Sequence, residues 1–484
     1  MQIMKNRFIN DLLYVMLSNG VVLISGIITG IIVPKLLGVT SYGYYKIFNL
    51  YVGYAALLHF GFVDGILLNN ANKNYEELDK NKFRLNTRFF ILMQIIISII
   101  VVTLSIVYIK NRIYRFIFLM IGIDTIAMNV TSYYQYVSQC TMRFKELSVR
   151  KVLQSIMRII SIGMFFILYK TGIILDVTYH IYIITWVSID IILTIWYVYT
   201  YRDITFGKRD KFLNGYKEII LYFKSGIVLT ISYQVANLIF SIDRQFVSII
   251  FDTNTYAVYS FAYSLISIAT TIIGAISLVL FPQLKRKSKD KIIENFSNNI
   301  SLIAILSFGA IICYYPLCGF IKWYLPDYIN SLVYFRILLP GLAISSCIST
   351  IIFTYYKVLN KNLLYFIVCS IILFISCIFN LFVSEYFKTP EAISIASLIV
   401  LIIWFIAGQY YFVKVYNVKW GKNTIYIFIM MSIFYLVTIS INNEWLGTIT
   451  YIILFVSITY IMYKDVIVMN LNMFNNKQDK LKIS

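Results

Sequence analysis

Charged residues are scarce in this chain of 484 residues. They make up 13% of it, whereas hydrophobic residues make up 60%. The mean hydropathy of +0.78 lies far above the range of soluble globular proteins. This composition excludes an ordinary soluble domain and indicates a membrane protein.

Residues that build catalytic and metal centres are also scarce. The only histidines are His59 and His180, and neither has a histidine, cysteine or carboxylate at metal-ligand spacing in the sequence. The six cysteines lie in or at the ends of apolar segments, which is typical of small core residues. There is no P-loop sequence and no long external loop that could form a catalytic site. We therefore expect no enzyme, no resident cofactor and no metal site.

Long apolar runs recur along almost the whole chain, and each is about long enough to cross a bilayer as a helix. Alternating strand patterns are absent, so helices rather than a barrel are expected. The sequence predicts an all-α polytopic membrane protein with fourteen transmembrane helices. They lie near residues 9–33, 42–67, 89–109, 115–140, 152–169, 178–200, 219–250, 256–281, 297–321, 333–356, 363–384, 392–413, 424–441 and 446–463.

Basic residues predict the orientation of these helices. Most of the 42 lysines and arginines fall in alternate connecting segments, and the positive-inside rule then places both termini in the cytoplasm. The net charge of +20 is not a sign of nucleic acid, because basic runs such as KRKSKDK (285–291) lie just past span ends, where anionic lipid headgroups attract them. We expect membrane lipids as partners and no nucleic acid.

Two pairs of tyrosine-rich segments indicate an internal duplication. SYGYYKIFNLY (41–51) and TYAVYSFAYSL (255–265) open spans two and eight, while SYYQYVSQ (132–139) and TYYKVLNK (354–361) close spans four and ten. These similar offsets predict two parallel six-helix lobes, residues 1–215 and 216–415, around a central cavity. Residues 416–484 then hold two additional transmembrane helices and a cytoplasmic tail.

Three segments of the sequence also carry a resemblance to a known family. IIVPKLLGVTSYGYY (31–45) and HFGFVDGI (59–66) resemble the N-terminal signature of bacterial lipid-linked oligosaccharide flippases. SIDRQFVSIIFDTNTYAVYS (241–260) is similar to the family's segment joining spans seven and eight, where an Asp-Arg or Asp-Lys pair is usual. One departure is Phe251-Asp252, where the family tends to have Leu-Gly.

Such Wzx-type flippases belong to the multidrug/oligosaccharidyl-lipid/polysaccharide exporter superfamily. The resemblance implies transport of a polyprenyl-diphosphate-linked oligosaccharide, with undecaprenyl diphosphate as the carrier, from the inner to the outer leaflet. Alternating access of the two lobes would move the cargo across the bacterial cytoplasmic membrane during surface polysaccharide biosynthesis. Other polysaccharide-assembly membrane proteins are then candidate partners.

Basic residues within or beside the apolar segments are the candidate substrate ligands. A diphosphate needs a wet, basic cavity, and arginine suits it best because its planar guanidinium donates two parallel hydrogen bonds. Arg244 and Lys46 lie inside spans seven and two at a similar depth, while Lys35 and Arg336 lie at the outer ends of spans one and ten. We expect these four residues to bind substrate.

Asp243 is the first candidate for coupling or gating. Neighbours in a helix point to different sectors, so Asp243 and Arg244 each need a partner elsewhere. Asp243 would pair with Lys46 or another cation, or carry a coupling proton or sodium ion. An inter-helix ion pair that only fixes packing is the alternative.

Three other buried aspartates are candidates for the same roles. Asp64 is either a gate or coupling carboxylate, or part of a close helix contact that the flanking Gly61 and Gly65 permit. Asp190 is expected to pair structurally with Arg158. Asp124 with Asp190 keeps open a second function, that of a cation-coupled drug or metabolite antiporter of the same superfamily.

Overall fold

A computed structural model describes the backbone of residues 2–71, 74–285 and 288–482. It describes the side chains of residues 14–71, 74–213, 215–274 and 288–464, and those of Leu280 and Leu284. Throughout these ranges the regular elements are helical, which confirms the predicted all-α fold. The chain forms two compact units, Met1–Phe261 and Ala262–Ser484. The predicted lobe boundary after residue 215 rests on the repeat pattern instead and stays a prediction.

The first unit contains nine helices and the start of a tenth within the described residues. They are α1 (Gln2–Val52), α2 (Phe62–Asn70), α3 (Lys80–Tyr108), α4 (Arg112–Cys140), α5 (Phe144–Lys170), α6 (Tyr179–Thr200), α7 (Arg202–Thr205), α8 (Phe212–Ile239), α9 (Ile242–Ile250) and α10 (Thr253–Lys285). Short 3₁₀ turns at Ala55–His59 and Tyr75–Glu77 flank α2.

After the end of α10, the regular elements in the described part of the second unit are also helical. Its helices are α11 (Lys289–Glu294), α12 (Phe296–Ala310), α13 (Tyr314–Tyr324), α14 (Ser331–Leu338), α15 (Gly341–Ser346), α16 (Phe353–Val358), α17 (Asn362–Tyr386), α18 (Pro390–Tyr416), α19 (Gly421–Ser440) and α20 (Glu444–Lys482). A π-helical stretch, Cys347–Ile352, joins α15 to α16.

Thirteen helical segments among the described residues are long and apolar enough to cross a membrane. The sequence predicted fourteen, and the difference arises at the N-terminus. There the first two predicted spans form one segment, Tyr14–His59, in which α1 continues past Gly38. Gly38 has φ 68° and ψ 172°, a conformation that glycine adopts without steric cost, so the chain kinks there without a connecting loop.

The prediction of one continuous helix over 219–250 is wrong. Helix α8 ends at Ile239 and α9 begins at Ile242. Between them, Ser241 has φ −127°, which breaks the helical hydrogen-bonding pattern. The break coincides with the polar residues that follow Phe240, and it matters because it positions the candidate site.

Glycines allow α2 and α8 to cross with their backbones in contact. A Cβ atom at Gly65 would lie closer than 3.0 Å to the carbonyl oxygen of Tyr222, and one at Gly226 would be as close to the carbonyl oxygen of Gly61. Gly61 also has φ 85°, which favours glycine. The predicted close contact at Gly61 and Gly65 is therefore confirmed, and it fixes the position of Asp64 between them.

Candidate substrate site

Arg244 and Asp243 lie at the break between α8 and α9. The last carbonyl groups of a helix lack helical partners, and Arg244 Nη2 donates a hydrogen bond to the carbonyl oxygen of Phe240 at 2.9 Å. Asp243 is buried in the first turn of α9, where the helix dipole favours a carboxylate. Its Oδ2 accepts a hydrogen bond from the Tyr259 hydroxyl at 2.7 Å. The two neighbouring charges thus contact different partners, as their helical spacing predicts: Arg244 binds the end of α8, and Asp243 binds Tyr259 of α10.

The charge of Lys46 of α1 interacts electrostatically with that of Arg244. Its ammonium group lies 5.2 Å from the ring centroid of Tyr42 and 5.9 Å from that of Tyr45. Such cation–π contacts offset part of the cost of a charge within the membrane. The Lys46 carbonyl oxygen accepts a hydrogen bond from the Tyr256 hydroxyl at 3.2 Å. The structure therefore brings together two of the four predicted substrate ligands.

Uncharged polar groups lie beside this pair of cations. Gln245 Nε2 donates a hydrogen bond to the Tyr51 hydroxyl at 2.6 Å, which ties α9 to α1. The Tyr51 ring packs against Phe118 of α4, with the ring centroids 4.9 Å apart. Amides and tyrosine rings are groups that bind sugar hydroxyls and sugar faces. Sequence reasoning did not single out Gln245, although it lies next to Arg244.

Lys35 and Arg336 are placed differently from Lys46. Lys35 has an exposed side chain on α1, before the kink at Gly38. Arg336 belongs to the second unit, where its half-buried side chain on α14 lines a cavity of about 210 Å³. Their expected roles as substrate ligands stay predictions, as does the expected pairing of Asp243 with Lys46.

Asp64 lies in a polar cluster at the crossing of α2 and α8. It accepts a hydrogen bond from the Thr230 hydroxyl of α8, and its Oδ2 lies 4.0 Å from His59 Nε2. The Tyr136 hydroxyl of α4 also hydrogen-bonds to it. His59 Nδ1 accepts a hydrogen bond from the Gly61 amide at 3.2 Å, which leaves Nε2 as the protonated nitrogen that faces Asp64. The His59–Asp64 pair therefore lies where the backbones of α2 and α8 touch.

Asp190 of α6 is paired with basic residues of α5. The predicted pair with Arg158 is present, with Nη2 3.4 Å from Oδ2, and Arg150 Nη2 lies 4.0 Å from Oδ1. Gln154 Nε2 donates a hydrogen bond to the same Oδ1 at 2.6 Å. The Arg158 guanidinium also stacks on Trp186, 3.4 Å from the ring centroid. Asp190 is thus held in a structural network, while its expected coupling role stays a prediction.

Asp124 of α4 is fully buried near this network. Its charge interacts with Asp190, Arg158 and Arg150. Within the described residues, neither carboxylate oxygen of Asp124 has a hydrogen-bond partner. An ionised carboxylate without hydrogen bonds is costly to bury, and the expected coupling role of Asp124 stays a prediction. Across the described residues, no group of three histidine, cysteine, aspartate or glutamate residues is arranged to hold a metal ion.

Two of these clusters contain residues that sequence reasoning missed. Arg150 and Gln154 were missed. With the predicted Arg158 they recur every fourth residue on one face of α5, and this spacing indicates a shared acidic partner. His59 gave a weaker signal. It lies five residues before Asp64 across the turn at Gly61, a geometry that no regular helix produces.

The sequence also matches a known family model. Residues 8–288, more than half of the chain, match the model described as polysaccharide biosynthesis protein. The chain belongs to the polysaccharide biosynthesis protein family. This result confirms the resemblance inferred from residues 31–45 and 241–260. No curated protein sequence matches the chain.

Several solved transporter structures share this fold. The lipid II flippase MurJ, in an inward closed conformation, matches with a TM-score of 0.69 and 16% identity over 95% of this chain and 100% of its own. A mutant of the Vibrio cholerae MATE transporter VcmN matches with a TM-score of 0.57 and 12% identity, over 86% and 97% of the two chains. A MOP superfamily transporter from Pyrococcus furiosus matches with a TM-score of 0.52 and 12% identity, over 83% of this chain and 94% of its own. The chain is therefore a multi-pass membrane protein with a transporter fold.

Proposed function

We propose that this protein is a flippase for polyprenyl-diphosphate-linked oligosaccharide in the bacterial cytoplasmic membrane. It moves repeat units from the inner to the outer leaflet by alternating access of two lobes and supplies surface polysaccharide biosynthesis. Family membership and the MurJ-like fold support this function. Basic residues in alternate connections support an orientation with both termini in the cytoplasm.

The observation that carries the proposal is the placement of two basic residues where α1 meets α9: Lys46 is on α1, and Arg244 precedes Gln245, whose amide binds Tyr51 of α1. Two basic side chains within membrane-spanning segments favour the binding of an anion there. A diphosphate supplies two adjacent negative groups, and a guanidinium with an ammonium matches that charge distribution. In this proposal Arg244 exchanges its contact with the Phe240 carbonyl oxygen for the diphosphate when cargo binds.

The neighbouring polar groups suit the first sugars of the cargo. Gln245 and Tyr51 offer an amide and a hydroxyl beside the cations, and Tyr42 and Tyr45 offer ring faces. The polyprenyl chain needs no such site, because it remains favourable in the lipid phase throughout transport. The protein then has to shield only the diphosphate and the sugars from the hydrocarbon core.

Asp64 is our candidate for gating or coupling within this cycle. Its contacts with His59 and Thr230 lie at the place where the backbones of α2 and α8 touch. A proton added at His59 Nδ1 would displace the hydrogen bond from the Gly61 amide, so protonation and backbone geometry are linked there. A proton is therefore our first candidate for the coupling ion, with sodium as the alternative.

A second candidate function is a cation-coupled drug or metabolite antiporter. One observation favours it, the buried Asp124 whose oxygens have no hydrogen-bond partner within the described residues. A MATE transporter is among the proteins that share the fold. An antiporter of cationic compounds would depend on Asp124 and would tolerate the loss of Arg244.

A complementation experiment separates the two functions. A bacterial strain lacking this gene receives wild type, Arg244→Ala, Arg244→Lys or Asp124→Asn, and surface polysaccharide and the cytoplasm-facing pool of lipid-linked oligosaccharide are measured. Arg112→Ala is the matched control, because Arg112 is an exposed arginine of the same unit, at the first residue of α4. Membrane levels of every variant are checked.

We expect Arg244→Ala to abolish surface polymer and to raise the inward-facing precursor pool. Arg244→Lys should restore part of the export, because the charge remains but the bidentate geometry is lost. Arg112→Ala should behave as wild type. If wild type leaves the precursor pool unchanged relative to the empty strain, the flippase function is wrong. If only Asp124→Asn impairs transport, the antiporter is favoured.

A further inference from the structure

The second unit contains a cavity to which the additional C-terminal helices contribute. Its volume is about 210 Å³, and its lining comes from α13, α14 and the connection between α19 and α20. Among the lining residues are two basic side chains, Lys322 and Arg336, and one acidic side chain, Glu444. The last helix pair lies outside the predicted six-helix repeat, and its contribution here suggests a function for it.

Tyr315 of α13 holds the end of α19 in place. Its hydroxyl lies 3.1 Å from both the Val437 and the Ile441 carbonyl oxygens, which lie at the C-terminal end of α19. The start of α20 packs on the same ring, because a Cβ atom at Gly447 would overlap it. The connection between α19 and α20 is therefore a fixed wall of the cavity.

The charges of the cavity do not cancel. Lys322 Nζ lies 2.8 Å from Glu444 Oε1, and Gly319 leaves space for that carboxylate because a Cβ atom there would overlap it. The opposite charges of Lys322 and Glu444 therefore cancel. Arg336 is half-buried, and within the described part of the chain its guanidinium has no hydrogen bond or ion pair. One positive charge with five donors remains in the cavity.

The position of the cavity within the helices points to the class of ligand. Four candidate membrane-spanning segments begin or end beside it. The segment ending at Tyr324 and the one ending at Ser440 meet there, and those beginning at Gly341 and Glu444 start there. Span ends lie at the level of lipid headgroups, where phosphate groups are the abundant anions. A phosphate accepts two parallel hydrogen bonds from an arginine.

We propose that this cavity binds the phosphate of a membrane lipid, with Arg336 as its principal ligand and the α19–α20 connection as its wall. The phosphate could belong to a bulk phospholipid or to a polyprenyl phosphate carrier, which share this chemistry. A single negative charge on the lipid would balance the cavity. The site is defined by binding alone, so its test does not require the flippase function to be correct.

Lipid retention by the full-length protein tests the proposal. Purified wild type is titrated in detergent with phosphatidylglycerol, undecaprenyl phosphate or inorganic phosphate, and bound ligand is counted by native mass spectrometry. Arg336→Gln keeps the length and polarity of the side chain and removes its charge. Lys388→Gln is the control, because Lys388 is exposed between α17 and α18, at the same end of the spans.

We expect Arg336→Gln to weaken binding of one or both lipids about tenfold, the effect of losing a charge-assisted contact. Lys388→Gln should bind as wild type. Preference for phosphatidylglycerol identifies a bulk-lipid site, and preference for undecaprenyl phosphate identifies a carrier site. If Arg336→Gln does not fold, Arg336→Lys tests the proposal in its place. We expect Arg336→Lys to weaken lipid binding by a smaller but measurable factor, because lysine keeps the charge but lacks the planar guanidinium.

The proposal fails if the Arg336 variants retain both lipids as wild type does. It also fails if wild type binds inorganic phosphate but neither lipid. Glu444→Gln tests independently whether the bound ligand is an anion or a cation. Removing this carboxylate makes the cavity more positive, so lipid phosphate should bind at least as well. Loss of lipid binding in a folded Glu444→Gln variant would indicate a cationic ligand instead.

Discussion

The crossing of α2 and α8 allows a stability prediction with a well-defined cause. In Gly226→Ala, the new methyl group would lie closer than 3.0 Å to the Gly61 carbonyl oxygen and to the Gly65 amide nitrogen. Both atoms belong to the backbone, so no side-chain rotation relieves the overlap. The two helices must separate, and the contacts of Asp64 with α8 must lengthen.

The magnitude follows from two opposing effects. Alanine is favoured over glycine in a helix by about 1 kcal/mol. Overpacking in a close contact costs about 1–3 kcal/mol, and the upper end applies because both partners are backbone atoms. The net free energy of unfolding should therefore fall by about 2 kcal/mol. Reversible unfolding in mixed micelles with increasing dodecyl sulfate measures this change.

Gly163→Ala in α5 is the matched control. Nothing lies within 4 Å of a Cβ atom built at Gly163, so only the helix-propensity gain of up to about 1 kcal/mol applies. We expect the two glycine variants to shift stability in opposite directions. If Gly226→Ala is as stable as Gly163→Ala, the close crossing of α2 and α8 is wrong.

Three further substitutions test the charged networks. Asp190→Asn should lower stability by about 3 kcal/mol in the same unfolding assay, because the guanidinium groups of α5 lose their buried counterion. Asp124→Asn should cost little, since neither of its oxygens has a hydrogen-bond partner within the described residues; equal losses in the two variants would contradict this difference. Outside the spans, burial raises the pKa of Asp203, but hydrogen bonds from Tyr75 and Lys80 outweigh it and hold the pKa below its ordinary value. Its stabilising effect is then present at neutral pH and lost as the pH falls below about 4, so the stability difference between wild type and Asp203→Asn should shrink on acidification.

The membrane-spanning architecture could be predicted from sequence because apolar run length sets it directly. The predicted number of spans exceeds the observed number because Gly38, a glycine with positive φ, kinks α1 without ending it. The break at Ser241 was missed for a related reason. Hydropathy does not register a local change of backbone conformation. The sequence predicts Arg244 as a substrate ligand, whereas in the structure its guanidinium binds the Phe240 carbonyl oxygen at the break.

The candidate site was only partly predictable. Position along two spans predicts that Lys46 and Arg244 lie at a similar depth in the membrane, and in the structure their charges interact. The pairing of Asp190 with Arg158 could be predicted because a buried charge needs a partner of opposite sign. The contact of His59 with Asp64 could not be predicted, because it depends on the turn at Gly61 and on the approach of α8.

The central claim is that the protein moves a lipid-linked oligosaccharide by means of Arg244. Its most direct test is a transport measurement with purified full-length protein in liposomes. A fluorescent oligosaccharide linked to undecaprenyl diphosphate is placed in both leaflets, and its accessibility to an external quencher is followed over time. We expect wild type and Arg112→Ala to exchange the lipid between leaflets and Arg244→Ala not to. Equal exchange by Arg244→Ala and wild type, or none by wild type alongside uptake of cationic dyes, would contradict the account.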